Sequence, residues 1–236
     1  AITAGPEHLK TLRQQAIERF AALGFPTTKH EDWRFTNLSS LTSNTFAVPS
    51  GAAAVQPDQI AAFAVPGLAC HTLVFIDGHY APHLSDVRKL PDGVVVTTLH
   101  EAIDKHRTIV EEHLASIAPF DDKPFTALNT ALLGDGVFIH VPRGVEVADP
   151  VHLINIASGA GEPAITCPRN LVIVGEQAKV DVIEHYVALE QGVSFSNAVT
   201  EFFVGDSAHA GHYFIEEESR AAFSISSLHA KLGRAT

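Results

Sequence analysis

Fourteen histidines and two cysteines are the side chains of this sequence best suited to metal or sulfur chemistry. The closest histidine pairs are His79/His83 and His209/His212. Successive residues of a strand point to opposite faces, so a spacing of three separates His209 from His212, which is poor geometry for holding one ion. His140, His152 and His185 fall in separate apolar runs and meet only if those runs stack in a suitable register. A zinc site needs three or four converging ligands, and no short motif supplies them. The histidines therefore read as surface or hydrogen-bonded residues, with no metal held by this region alone and no residue assigned to a cofactor.

Cys167, in Thr-Cys-Pro ahead of a strand, has the residue type of a sulfur-handling or metal-binding thiolate. The stronger reading is a small buried hydrophobe. Asp77-Gly78 and Asp135-Gly136 are turns by composition. Gly134-Asp-Gly136 leads into a strand and lacks the remaining glycine of a dinucleotide fingerprint. Glu216-Glu217-Glu218 reads as a solvated corner, and Trp33 as a core anchor. No nucleophile, base and orienting group come together, so no catalytic residue is assigned and the expectation is a protein that is not an enzyme.

Sixteen Lys and Arg against 27 Asp and Glu give a net charge of -11, with no basic cluster longer than Arg88-Lys89. That balance disfavours nucleic acid as a partner. Cys70 and Cys167 form no CxxC pair, and no secretory signal opens the chain, which fits a reducing, cytoplasmic setting. The longest purely apolar runs, such as Leu171–Val174, are a few residues, far from the ~20 that span a bilayer. No membrane association is expected. Methionine is absent and the chain begins at Ala1, so its start reads as processed or trimmed.

The elements that must position these residues are visible as a repeat. Val141-Pro-Arg-Gly-Val-Glu-Val147, Val174-Gly-Glu-Gln-Ala-Lys-Val180 and Val204-Gly-Asp-Ser-Ala-His-Ala210 are imperfect copies, offset by 33 and 30 residues. Each reads as a strand, a corner and a new strand, and a unit that cannot bury its apolar face alone must stack on its neighbours. Around the corners the strand candidates are Val137–Val141, Val145–Val147, Val151–Ile156, Leu171–Val174, Val180–Val187, Phe195–Val204, His212–Glu216 and Phe223–Leu232. No long helix fits among them, which argues against helical crossovers and for a β-solenoid. Leu232-Gly-Arg-Ala looks like the start of a fourth corner. A solenoid needs a cap, so a further C-terminal part is expected beyond Thr236.

Upstream, Leu9, Leu12, Ala16, Phe20 and Leu23 recur at helical spacing between Pro6 and Gly24, predicting an amphipathic helix. A short helix is expected near Lys29–Asp32, another near Asp58–Phe63, and strands at Leu73–Ile76 and Gly93–Thr97. Helical spacing returns from Leu99 to Ile117, and the period changes to two after about Leu133. The expected organisation is a helical domain and connector over 1–70, an α/β transition over 71–133 and the solenoid over 134–236.

Four separated segments resemble one family. Gly24-Phe-Pro-Thr-Thr-Lys-His-Glu-Asp-Trp-Arg-Phe-Thr-Asn-Leu38 is similar to the N-terminal signature of the SufB/SufD family of iron-sulfur cluster assembly proteins. Phe125-Thr-Ala-Leu-Asn-Thr-Ala131, Pro168-Arg-Asn-Leu-Val-Ile-Val174 and Ser194-Phe-Ser-Asn-Ala-Val-Thr-Glu201 resemble its core. Glu184-His-Tyr186 stands where SufB members tend to carry a cysteine-containing segment, so the likeness is to the SufD branch. The resemblance implies a fold that is mainly β, a right-handed parallel β-helix preceded by a small helical domain. It also implies a scaffold that pairs with a SufB-like subunit and a SufC-like ABC-type ATPase while an iron-sulfur cluster is transiently built. Flavin in the parent complex and a homodimer are left open. Two other readings are a β-helix enzyme acting on polysaccharide, which predicts acids clustered on one face rather than spread as Glu146, Glu176 and Asp206, and a histidine-based metal-binding protein.

Overall fold

The structure, a computed structural model, describes residues 6–236. Pro6 leads into α1 (Glu7–Leu23), whose inner stripe carries Leu9, Arg13 and Ala16, and Gly24 ends it at a φ of 68° by donating its N–H to the Phe20 carbonyl. Two single turns follow, α2 (Ser39–Thr42) and α3 (Pro57–Ile60), the latter running into a 3-10 turn at Ala61–Phe63. β1 (His71–Ile76) and β2 (His79–Tyr80) form a hairpin. Its two-residue loop, Asp77 and Gly78, has positive φ at both positions, the geometry that matches the twist of antiparallel strands. β3 (Val95–Thr98) continues into α4 (Leu99–Lys105), then α5 (Arg107–His113) and α6 (Pro124–Ala131).

From Val137 onward the chain coils. β4 (Val137–Val141) and β5 (Val151–Ala157) make one turn, with a short β6 (Ala164–Thr166) after it. β7 (Arg169–Val174) and β8 (Lys179–Ala188) make the next, β9 (Ser194–Val204) and β10 (His209–Glu217) the third, and β11 (Phe223–Leu232) starts a fourth. Two sheets result: an A sheet in the order β11-β9-β7-β4-β3 and a B sheet in the order β10-β8-β5-β1-β2. All coil-to-coil pairings are parallel, while β3 and β2 close one end of each sheet antiparallel. The register places Val141, Val174, Val204 and Leu232 in one ladder, so the repeat seen in sequence is the coil itself. The chain is mainly β with an N-terminal helical part and a solenoid of about three turns, as the repeat predicts.

The corners explain why the copies share their pattern. The N–H groups of Gly175, Gly205 and Gly233 donate to the carbonyls of Val141, Val174 and Val204 at 2.7–2.8 Å. Gly144, Gln177, Ser207 and Ala235 occupy the same corner position with φ between 53° and 71°. The fourth corner expected at Leu232–Ala235 is present. A Cβ on Gly205 would lie 2.6 Å from the backbone nitrogen of Glu176, a contact no rotamer relieves. Gly205→Ala is expected to cost about 1–3 kcal/mol, read as a lower urea midpoint at unchanged m.

Four apolar clusters hold the layers. The lumen is filled by Leu73, Leu153, Val172, Val182 and Phe202 among others. The outer A face is covered by α1, α4 and α5 through Leu9, Leu99, Ile103 and Val110 packed on Phe138 and Leu171. Phe125 of α6 packs on Phe195 with Trp33 against it, the ring centres 4.9 Å apart, so Trp33 is a core anchor as expected. Val55, Ile60 and Phe63, upstream of β1, cover the outer B face at Val74, Ile154 and Val187.

Three expectations are corrected. The helix read from Leu99 to Ile117 breaks at His106, whose φ of -124° and ψ of 34° separate α4 from α5. Val145–Val147 forms only one bridge, Glu146 with Lys179, because the corner consumes its residues. The helix near Lys29–Asp32 is a single 3-10 turn at Glu31–Trp33. Among the described residues no helix is long and apolar enough to cross a membrane.

Candidate functional site

The polar groups most deeply buried lie in three places, each fixed by coil stacking. In the lumen, Asn170, Glu184 and Thr200 are 1–3% exposed. The Asn170 carboxamide accepts from the Val137 N–H at 3.0 Å and donates to the Thr200 hydroxyl at 3.1 Å. Thr200 in turn donates to Glu184 Oε1 at 2.6 Å, Tyr186 donates its hydroxyl to Glu184 Oε2 at 2.9 Å, and His212 Nε2 lies 2.9 Å from Oε1. One polar ladder thus runs from β4 to β10 beside the apolar side chains of the lumen. Burial, then the Glu184 carboxylate, pushes the Tyr186 phenol well above its ordinary value, so it stays a donor.

At the junction of the A sheet with α6, Arg169 and Glu201 are both 0% exposed and joined at 2.7 Å. Arg169 Nη1 also donates to Asn129 Oδ1 and to Thr130 Oγ1 at 3.1 Å. Glu201 accepts the backbone N–H groups of Ala115 and Ile117. Asn129 Nδ2 donates to the carbonyls of Pro168 and Asn197, and Asn197 Nδ2 to that of Phe125. The guanidinium fork and two carboxamides therefore fasten the helical layer to two successive coils.

On the outer B face, His152 Nε2 lies 3.2 Å from His185 Nδ1, and His185 Nε2 lies 3.0 Å from Glu217 Oε2. Burial, and then the neighbouring His185, lowers His152 to about 4. His152 and His185 thus converge, although they belong to different runs. In register His152 faces Ile183 and Ile154 faces His185, so the two rings meet diagonally across adjacent coils, and a separation near one repeat is the signal the sequence offers.

The remaining sequence candidates do not assemble. His209 and His212 point apart, as their spacing predicts: His209 is exposed, while His212 meets Glu184. His79 contacts the Pro49 carbonyl at 3.1 Å, and burial lowers His140, with the charges of His106 and His113 adding to it. Asp135 accepts from the N–H groups of His100 and Gly136, and burial raises its carboxyl. The acidic run is not wholly a solvated corner, because Glu217 reaches His185 and Glu218 accepts from the Ser196 hydroxyl at 2.6 Å. Among the described residues no group of three or more His, Cys, Asp or Glu side chains is placed to hold a metal ion.

Both cysteines are buried and free. Cys167 borders a cavity of about 150 Å³ with Phe75, Leu132 and Ile165, and burial pushes its thiol up to about 12. A thiol in that state is a poor nucleophile. In the native protein at pH 8, thiol-reagent titration is expected to label Cys167 far more slowly than in denaturant. Equal rates would show an accessible thiolate.

The corner acids are paired rather than gathered into a groove. Glu146 meets Lys179 at 2.9 Å, Glu176 meets Arg143 at 2.9 Å and Asp206 meets Arg234 at 2.6 Å, each across adjacent coils. These pairs are exposed, and each of the three acids faces a cation on the next coil rather than a second carboxylate. Arg169, Glu184, Glu201 and the corner acids of the solenoid each bond to a neighbouring coil.

Comparison with known proteins agrees with that geometry. The family model of the SufBD protein N-terminal region matches residues 3–153, and that of the SUF system FeS cluster assembly, SufBD core domain, matches residues 155–236. The iron-sulfur cluster assembly SufBD family protein slr0076 of Synechocystis is 28% identical over 95% of this chain and 51% of its own length. The iron-sulfur cluster assembly protein SufD of Escherichia coli is 32% identical over 84% of this chain and 44% of its own, and that of Bacillus subtilis 27% over 86% and 47%. The chain spans about half the length of the curated relatives it matches.

Proposed function

The chain belongs to the SufB/SufD family, and from that membership we propose that it is a scaffold subunit of iron-sulfur cluster assembly, of the SufD kind. It pairs with a SufB-like subunit and a SufC-like ABC-type ATPase in the cytoplasm. The cluster is its cargo, formed transiently in the complex, and the chain itself holds no cofactor. The observation that carries this reading is the use of its polar groups: Arg169, Glu184 and Glu201 are locked into contacts between coils and helices, rather than set around a substrate cleft. Such a body is a rigid surface on which other chains can be arranged.

The test is co-expression of the protein with its SufB-like and SufC-like partners, followed by size-exclusion chromatography. Co-elution as one complex, with a visible spectrum reporting cluster and any flavin after reconstitution, is the expected result. Elution of this protein alone, with the other two forming a cluster-competent complex without it, would overturn the proposal.

A further inference from the structure

His152, His185 and Glu217 come from three successive strands of the B sheet, β5, β8 and β10. The two imidazole planes are within 12° of parallel and their centres are 5.4 Å apart. That is close to the largest separation that rings joined by a 3.2 Å nitrogen–nitrogen contact can have, so they lie edge to edge with the two nitrogens facing along one line. A metal between facing nitrogens would need two bonds of about 2.1 Å each in that line, more room than the contact offers. The geometry is that of a hydrogen-bonded chain.

Residues 53–65 lie over this chain. The Phe63 ring meets His185 edge-on at 5.9 Å, and Ala53, Val55, Ile60 and Phe63 pack on Val74, Ile154 and Val187. Between this cover and the sheet is a cleft of about 290 Å³, lined by Ile60, Leu68, Cys70, Asp86, Arg88 and His152. The cover carries one ionisable residue, the exposed Asp58. From the sheet side the charged groups are Glu217 at His185, and Asp86 and Arg88 at the cleft, with Asp149 3.9 Å from Arg88.

We propose that the Glu217–His185–His152 chain is a proton-sensitive seat for residues 53–65, which stay packed on it while the imidazoles are buried and lift from the B sheet when both are protonated. This goes beyond the family reading and does not depend on it. With Glu217 ionised, His185 donates its Nε2 proton to the carboxylate, leaving Nδ1 to accept from His152 Nε2. One added proton is shared along the chain without breaking a contact. A second puts an N–H on each of the facing nitrogens, and the 3.2 Å contact is lost. Lifting the cover lets the imidazoles separate into water, where His152 regains its ordinary basicity.

Amide hydrogen exchange tests this proton-sensitive seat. With His152 held at about 4 in the closed form and 6.5 when solvated, opening of residues 53–65 should rise about thirtyfold from pH 8 to pH 5, after correction for intrinsic exchange. Amides of β7–β9 should stay protected, and His152→Gln should flatten the dependence. A flat wild-type response over 53–65, loss of protection there and in β7–β9 together, or a His152→Gln protein with the full response would each overturn the proposal. Should His152→Gln fail to fold, the wild-type comparison of 53–65 with β7–β9 still decides.

Discussion

Arg169→Met is expected to lower stability by about 3–5 kcal/mol, the range for breaking a buried ion pair by removing one partner. Arg169 and Glu201 are both 0% exposed, so the carboxylate left behind has no water to take over its charge. Methionine fills the volume but supplies none of the donors now reaching Glu201, Asn129 and Thr130. The loss spreads because Glu201 also receives the backbone N–H groups of Ala115 and Ile117, which lead from α5 toward α6. Replacing both members with apolar residues, often neutral for an isolated pair, should not rescue this one, since those two N–H groups would lose their acceptor. Arg169→Lys should recover only part of the loss, because an ammonium cannot reach both sides as the planar fork does. Urea unfolding followed by far-ultraviolet circular dichroism measures each variant. A loss under about 1 kcal/mol for Arg169→Met would show that Glu201 is solvated. In a domain stabilised by a total of ~5–15 kcal/mol, the expected loss puts folding itself at stake.

The architecture was legible where chemistry repeats with the coil. Val141, Val174 and Val204 show the period directly, and the register confirms it residue by residue. What escaped the sequence is what depends on two coils at once. Seven of the eight residues of α6 are buried, Asn129 and Thr130 among them, so it shows no polar face and its helical period is hidden. The resemblance to a known family marked Phe125–Ala131 without showing it as a helix. Glu184-His185-Tyr186 reads as three polar residues in a row, but alternation sends Glu184 and Tyr186 into the lumen and His185 outside. Three of the polar contacts join residues about one coil apart: Asn170 and Thr200 differ by 30 residues, His152 and His185 by 33, Glu184 and His212 by 28. Folding the sequence on its own period would have brought these together. Hydrophobic periodicity alone could not, because it ranks residues by face and is silent on which coil a face meets.

Gly136→Ala is expected to be the most damaging single-methyl substitution in the chain, costing about 3–5 kcal/mol or preventing folding. Sequence composition marks Asp135-Gly136 as a turn, yet Gly136 is needed for closeness and not for a left-handed conformation. A Cβ there would sit 2.1 Å from the Arg169 carbonyl oxygen and 2.7 Å from its carbon. Backbone on the facing coil cannot rotate away as a side chain can, so the first coil must lift off the second. That lift threatens the Arg169 N–H bond to the Asp135 carbonyl and the Val137 N–H bond to Asn170. It also displaces Arg169 from its place opposite Glu201. Gly134→Ala is the matched control, since its nearest neighbour would be the Leu132 carbonyl oxygen at 3.8 Å, an ordinary contact. The control should unfold within about 0.5 kcal/mol of the parent. If Gly136→Ala behaves like it, the coils are spaced more widely than these distances require. Because Gly136 and Arg169 touch, the double variant Gly136→Ala/Arg169→Met should lose less than the sum of its parts, by an interaction of about 0.5–3 kcal/mol. That coupling would place the buried ion pair and the coil spacing in one cooperative unit, with the helical layer and the solenoid unfolding together.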